Sequence, residues 1–145
     1  MHVQWRVQYE PGTLKAIARK NGKIISTKTI QTAGEPARLE LVPDRKILHA
    51  DGKDLSFVTV RILDKYGNLV PDAANKLTVE ITGEGVLAGM DNGYPASLES
   101  FKAPSHKAYN GLCLAIVQSK PQAGPIRVTI HSPGLPSGSV LLQSR

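Results

Sequence analysis

Cysteine occurs once in the 145 residues, at Cys113, which excludes an intramolecular disulfide and leaves stability to packing. The four histidines, His2, His49, His106 and His131, stand apart from one another and from Cys113, so neither a zinc spacing nor a Ser-His-Asp order can be read. Aromatic residues make up 5% of the chain, too few for the exposed ring platform of a dedicated carbohydrate binder or a single-strand nucleic-acid groove. Long apolar runs are missing as well. The longest is the six residues Leu112–Val117, where a membrane-crossing helix needs roughly 20, and nothing near Met1 resembles a signal sequence. Eighteen Lys+Arg against 12 Asp+Glu give +6 and a pI near 9.6, but the basic residues, from Arg6 to Arg127, are scattered and not interleaved with aromatics. Neither a nucleic-acid nor a membrane partner is expected.

Helical periodicity is also lacking, and the 13 Gly and 10 Pro fall at the ends of alternating segments. What remains is strand. Val3, Trp5, Val7 and Tyr9 alternate with polar residues, Glu10-Pro11-Gly12 makes a turn, and the Asn21-Gly22 dipeptide joins Thr13–Lys20 to Lys23–Gln31. These residues predict a three-stranded meander. After the punctuated connector Thr32–Pro36 come Arg38–Val42, Leu55–Leu63, Leu77–Ile81, Val86–Met90, Leu112–Gln118, Ile126–His131 and Val140–Gln143. That series, over about 110 residues, fits one immunoglobulin-like β-sandwich of roughly 100.

The predicted architecture is therefore all-β, with residues 1–33 as a small meander and residues 34–145 as the sandwich. The expected core is Leu55, Phe57, Val58, Val60, Ile62, Leu77, Val79, Ile81, Leu112, Leu114, Ile116, Val128 and Ile130. A meander of about 31 residues is too small to bury its own apolar face, because domains below roughly 40 residues need staples or a partner. Trp5 and Tyr9 are expected to be exposed. Self-association through residues 1–33 is one way of covering them.

Candidate chemistry is sparse. Glycosidic hydrolysis uses two carboxylates about 5–10 Å apart, and Asp91 with Glu84 or Glu99 is the neighbourhood that could supply them, although each sits beside Gly or at a strand end like an ordinary loop acid. The set Asp51, Asp54, Asp64, Asn68 and Asp72 offers calcium-type oxygens without the EF-hand order. No cofactor or metal is expected. The most distinctive segment is Gly89-Met90-Asp91-Asn92-Gly93-Tyr94. Its bland reading is a tight turn. Its functional reading is a ligand-binding loop, in which Asp91 and Asn92 bond sugar hydroxyls and Tyr94, with Tyr109, offers an aromatic face. Cys113 lies among apolar neighbours and is expected to be inert.

The opening WRVQYEPGTLKAIARKNGK, from Trp5 to Lys23, resembles the end of the domain that precedes the C-terminal module in family-2 glycoside hydrolases of the β-galactosidase type. LHADGKDLSFVTVRILDKYGNLVPDAANKLTVEITGEGVLAGMDNG from Leu48, ASLESFKA from Ala96, YNGLCLAIVQS from Tyr109 and AGPIRVTIHSPGL from Ala123 resemble that module itself. The shorter stretch DGKDLSFVTVRILDKYGNLVPDA is also similar to bacterial immunoglobulin-like repeats of adhesins. The family resemblance implies a bacterial glycosidase whose acid/base and nucleophile glutamates belong to a separate (β/α)8 barrel of roughly 250 residues. It therefore implies no catalytic residue here and an accessory role against other domains of a secreted or periplasmic parent, and it gives the Asp91-Asn92-Gly93 loop no defined role; a loop lining the sugar site is a further expectation of that architectural reading. A carbohydrate-binding module and an adhesin repeat are the alternatives.

Overall fold

The computed structural model describes residues 4–145, in two compact units, Met1–Thr32 and Ala33–Arg145. In the first unit β1 (Thr13–Lys20) pairs antiparallel with β2 (Lys23–Gln31). Asn21 and Gly22, at φ 51° and 77°, form the two-residue turn that the Asn-Gly dipeptide predicts. The open end is tied by Thr32 N–H to Gly12 O at 2.8 Å and by Gly12 N–H to the Thr32 hydroxyl at 3.0 Å. The expected third strand is not there. Residues 4–10 form no ladder, and Val3 and His2 lie outside the described residues. Alternation marks a segment that has a wet and a dry side, but a strand also needs a neighbouring edge to bond, and residues 4–10 bond none. Trp5 and Tyr9 are exposed, as is every residue of the hairpin.

The second unit is a β-sandwich. One sheet has the order β4-β11-β10-β6-β8 and the other β3-β5-β9-β7. The strands are β3 (Arg38–Pro43), β4 (Ile47–Leu48), β5 (Leu55–Leu63), β6 (Lys76–Gly83), β7 (Gly85–Asp91), β8 (Ser105–Lys107), β9 (Leu112–Ser119), β10 (Gly124–Ser132) and β11 (Leu135–Ser144). All pair antiparallel except β4 with β11, where Ile47 and Leu48 run beside Gln143 and Ser144. Backbone bonds on both sides of Arg145 continue that lacing: its N–H donates to Leu48 O at 2.9 Å and its carbonyl accepts from Ala50 N–H at 2.8 Å. The sequence pattern misses β4 and β8, which have two and three residues and so show no period.

Between β6 and β7 the chain leaves one sheet for the other within Gly83-Glu84-Gly85. Gly83 sits at φ 90°, where a side chain is strained, and a Cβ there would strike the Pro125 carbonyl oxygen. At Gly85 a Cβ would lie 2.6 Å from Ile126 Cγ2. Only glycine lets the corner pass so close to β10.

The core lies between the sheets. Val58, Val60 and Ile62 of β5, Cys113, Ala115 and Val117 of β9, and Met90 of β7 face Leu77 and Val79 of β6, Ile126, Val128 and Ile130 of β10, and Leu142 of β11. Seven of the expected core residues are among these or beside them in the buried set: Val58, Val60, Ile62, Leu77, Val79, Val128 and Ile130. Ile81 is partly buried against them. Leu55, Phe57, Leu112, Leu114 and Ile116 are not in the core. Directly opposed residues of an antiparallel pair share a face, and β9 is set with Cys113 opposite Val60 and Ala115 opposite Val58, so Leu114 and Ile116 point outward with Thr59 and Phe57. A uniformly apolar run carries no period-2 signal, and pairing alone decides which side turns in.

Candidate functional site

The loop of residues 92–104 leaves the end of β7 and returns to β8, and it carries three of the four residues the sequence singles out or lies next to them. Asp91 is the last residue of β7, and its Oδ1 accepts the Gly93 N–H at 3.0 Å. Asn92 Oδ1 accepts the Tyr94 N–H at 2.9 Å, while its Nδ2 donates to Lys107 O at 3.0 Å. Two successive Asx turns thus shape the segment, and Asn92 ties it to β8. Gly93, at φ 71°, takes the left-handed position. Tyr109 arrives from the far side, on the tight turn Asn110-Gly111 before β9, and its ring meets that of Tyr94 at a centroid distance of 4.9 Å and a tilt of 37°. The structure brings all four residues together.

Three of them, Asn92, Tyr94 and Tyr109, border an open depression of about 450 Å³ that Leu98, Glu99 and Lys107 also line, and Asp91 stays outside its lining. Its walls are mostly apolar. Leu98 is fully exposed and Phe101 largely so. Sequence reasoning missed both; the available signal was two large apolar residues between Pro95 and Pro104 with no alternation around them. Beneath them the loop is anchored. Met90 N–H donates to Phe101 O at 2.8 Å, Lys102 Nζ to Ala88 O at 2.8 Å, and buried His106 donates from Nε2 to Ser100 O at 2.9 Å. The arrangement is a fastened base with a greasy crest. Its Asn and Asp side chains already bond backbone, which leaves contact chemistry to the rings, Leu98 and the exposed Lys107 chain.

The candidate carboxylates Glu99 and Asp91 are each engaged by groups of their own surroundings. Glu99 accepts the Lys107 N–H at 3.1 Å and lies 3.5 Å from His106 Nδ1, Asp91 caps its own turn, and Glu84 sits in the corner between β6 and β7. The acids weighed for calcium are split between separate turns. Asp64 accepts N–H groups from Gly34, Tyr66 and Asn68 at 2.8–2.9 Å and the Asn68 amide at 3.0 Å. With the Gly34 N–H foremost, these donors outweigh desolvation and hold its carboxyl far below the ordinary range. Asp51 is lowered by the N–H groups of Lys53 and Asp54, both 2.8 Å from its Oδ1. Burial works against the charge of Asp44, yet the Phe57 N–H, the Ser56 hydroxyl and Arg45 together still lower it. Among the described residues no three His, Cys, Asp or Glu gather as a metal site.

One constellation was not readable in the sequence. His131 Nδ1 meets the Ser137 hydroxyl at 2.8 Å and its Nε2 lies 3.3 Å from Glu80 Oε2. All three are exposed on the outer side of β10, β11 and β6. Cys113 is buried, and desolvation pushes its thiol up to about 12. It is inert.

Comparison with known proteins supplies the class. Residues 39–141 match the family described as glycoside hydrolase family 2 C-terminal domain 5, and residues 1–26 match a domain of unknown function (DUF4982). The chain is 52% identical over 135 residues, 93% of its length, to the β-galactosidase BoGH2A of Bacteroides ovatus, of which it covers 16%. A solved glycosyl hydrolase family 2 member from Bacteroides cellulosilyticus superposes at a TM-score of 0.92 with 34% identity, over 97% of this chain and 18% of that one. A β-glycosidase from Bacteroides vulgatus gives 0.88 and 28%, over 96% and 18%. The chain is a β-sandwich of the type found at the C-terminal side of large glycosidases. It belongs to the glycoside hydrolase family 2 C-terminal domain 5 family, and it spans about a sixth of the curated relative's length.

Proposed function

We propose that the chain is a non-catalytic accessory part of a longer family-2 glycosidase acting on β-galactosides, and that it packs on neighbouring domains with its 92–104 loop bordering the sugar site. The observation that carries this reading is the loop itself. A fastened base presents Leu98, Phe101 and Tyr94 to the outside, in a fold whose relatives are about six times longer. Exposed apolar side chains of this size on a rigid base mark a contact surface. Residues 1–33 are then the end strands of a preceding domain, consistent with the match over residues 1–26 and with a hairpin that buries nothing of its own.

The experiment has two arms. The 145-residue chain is assayed with nitrophenyl β-galactoside and is expected to release no nitrophenol; turnover lost on mutating one of its own acids overturns the reading. The complete polypeptide is then assayed with Leu98→Ser and Phe101→Ser, and KM is expected to rise severalfold with a smaller change in kcat. Unchanged KM removes the loop from the sugar site.

A further inference from the structure

The outer sides of the two sheets differ in chemistry. On the β4-β11-β10-β6-β8 sheet the outward rows read Thr82, Arg127, Leu141 and Glu80, Thr129, Ser139, with Thr78 beside His131 next in line. Leu141 and, in the next row with Gln143 and Pro125, Ile47 are the apolar residues at the β4 end of this face, and the rows from β11 across β10 to β6 are otherwise polar. On the β3-β5-β9-β7 sheet the outward rows read Leu55, Gln118, Val86, then Phe57, Ile116, Gly89, then Val42, Thr59, Leu114, with Asp91 closing that row at the β7 edge. Val42, Phe57 and Val86 are 45%, 38% and 42% exposed. At one end of this face Arg61 and Glu40 neutralise each other at 2.7 Å. A protein of net charge +6 thus keeps its unpaired cations off the middle of one sheet.

We infer that this outer face, centred on Phe57 and Ile116, is a permanent interface covered by another folded domain of the same polypeptide. The inference rests on the reading above for the identity of that polypeptide. Size favours a tethered occupant over a free one. From Leu55 to Arg61, across four strands about 4.8 Å apart with about 3.4 Å per residue, the face has a footprint of roughly 300–400 Å². A stable complex between free proteins needs about 800 Å² per partner. A domain joined by a short linker has an effective concentration in the millimolar range, so a smaller contact suffices. The relatives hold more than five-sixths of their length outside the matched part, which supplies such a domain. The face also lacks Trp and Tyr anchors, and its one arginine, Arg61, is already paired with Glu40.

Hydroxyl-radical footprinting of the 145-residue chain and of the complete natural polypeptide tests this. Oxidation of Phe57, Leu114 and Ile116 is expected to fall severalfold in the complete polypeptide, while His131 and Leu141 on the opposite sheet stay labelled. Phe57→Asp is expected to leave the isolated chain folded by circular dichroism and to restore labelling of Ile116 in the complete polypeptide. Equal labelling of the face in both samples overturns the inference. So does a discrete dimer of the isolated chain that protects Ile116 and is dissolved by Phe57→Asp, which makes a second copy the occupant. Galactosidase activity is measured on the same preparation: an inactive complete polypeptide with a protected face sinks the proposed function and leaves the interface standing.

Discussion

The carboxylate of Asp64 accepts the Gly34 N–H at 2.9 Å, joining the lead-in to β3 to the turn after β5. Two further N–H groups and the Asn68 amide complete its shell. These bonds favour the ionised form, so its folded pKa lies below the ordinary 3.8. A carboxylate of this kind contributes stability that is complete above the unfolded value and is lost as pH falls through the folded one. Asp64→Asn is therefore expected to lower the melting temperature at pH 7 and to flatten the loss of stability between pH 5 and pH 2, where Asp44 and Asp51 titrate in the same direction. Thermal melts across that range check it. Parallel curves for the two proteins would remove Asp64 from the acid transition.

The phase of β9 is open to a pair of substitutions. Ala115 is fully buried opposite Val58, so Ala115→Leu overpacks the core and is expected to cost about 1–3 kcal/mol. Ile116 lies outward beside Phe57, and Ile116→Ala in the isolated chain is expected to cost less than about 1 kcal/mol, because little surface changes its surroundings. Urea denaturation measures both. The reverse order of costs would place Leu114 and Ile116 inside.

At the corner between the sheets, Gly83→Ala forces a side chain into positive φ, worth about 1–2 kcal/mol, and against the Pro125 carbonyl as well. The expected loss exceeds about 2 kcal/mol, above that of Gly93→Ala, whose added Cβ meets nothing. Comparing the two denaturation midpoints separates backbone strain from collision.

Removal of residues 1–32 is expected to leave a cooperatively folding sandwich. The core residues all come from the second unit, and the hairpin buries none of its own side chains. Melting temperature should shift little, while solubility should rise as Trp5, Tyr9 and the hairpin isoleucines leave. Global unfolding on deletion would show the two units to be one cooperative body.

The strands that alternate were legible in the sequence, and so were their turns. Val58, Val60 and Ile62 announce the inward side of β5 because polar Thr59 and Arg61 separate them. Leu112–Val117 announces nothing, since every residue is apolar and orientation comes from a neighbouring strand far away in sequence. Residues 4–10 show the converse error, a clear alternation without an edge to bond. At the site, Asp91-Asn92-Gly93 was legible as turn chemistry, and its nearness to Tyr109 follows only from β7 lying beside β9. Leu98 and Phe101 belong to no periodic segment, so a search for alternation passes over them. The Ser137, His131 and Glu80 contact needs three strands in register and could not be read from one dimension.

The lacing of Ile47 and Leu48 to the last residues works like a drawstring. Because Gln143 N–H bonds Lys46 O and Arg145 bonds both Leu48 and Ala50, trimming only three residues from the tail would leave the 46–50 segment held by the His49 N–H to Asp54 bond and would loosen the cover over Leu48, which is now sealed inside. A fusion tag at that end should therefore be carried on a spacer that lets the final strand stay straight.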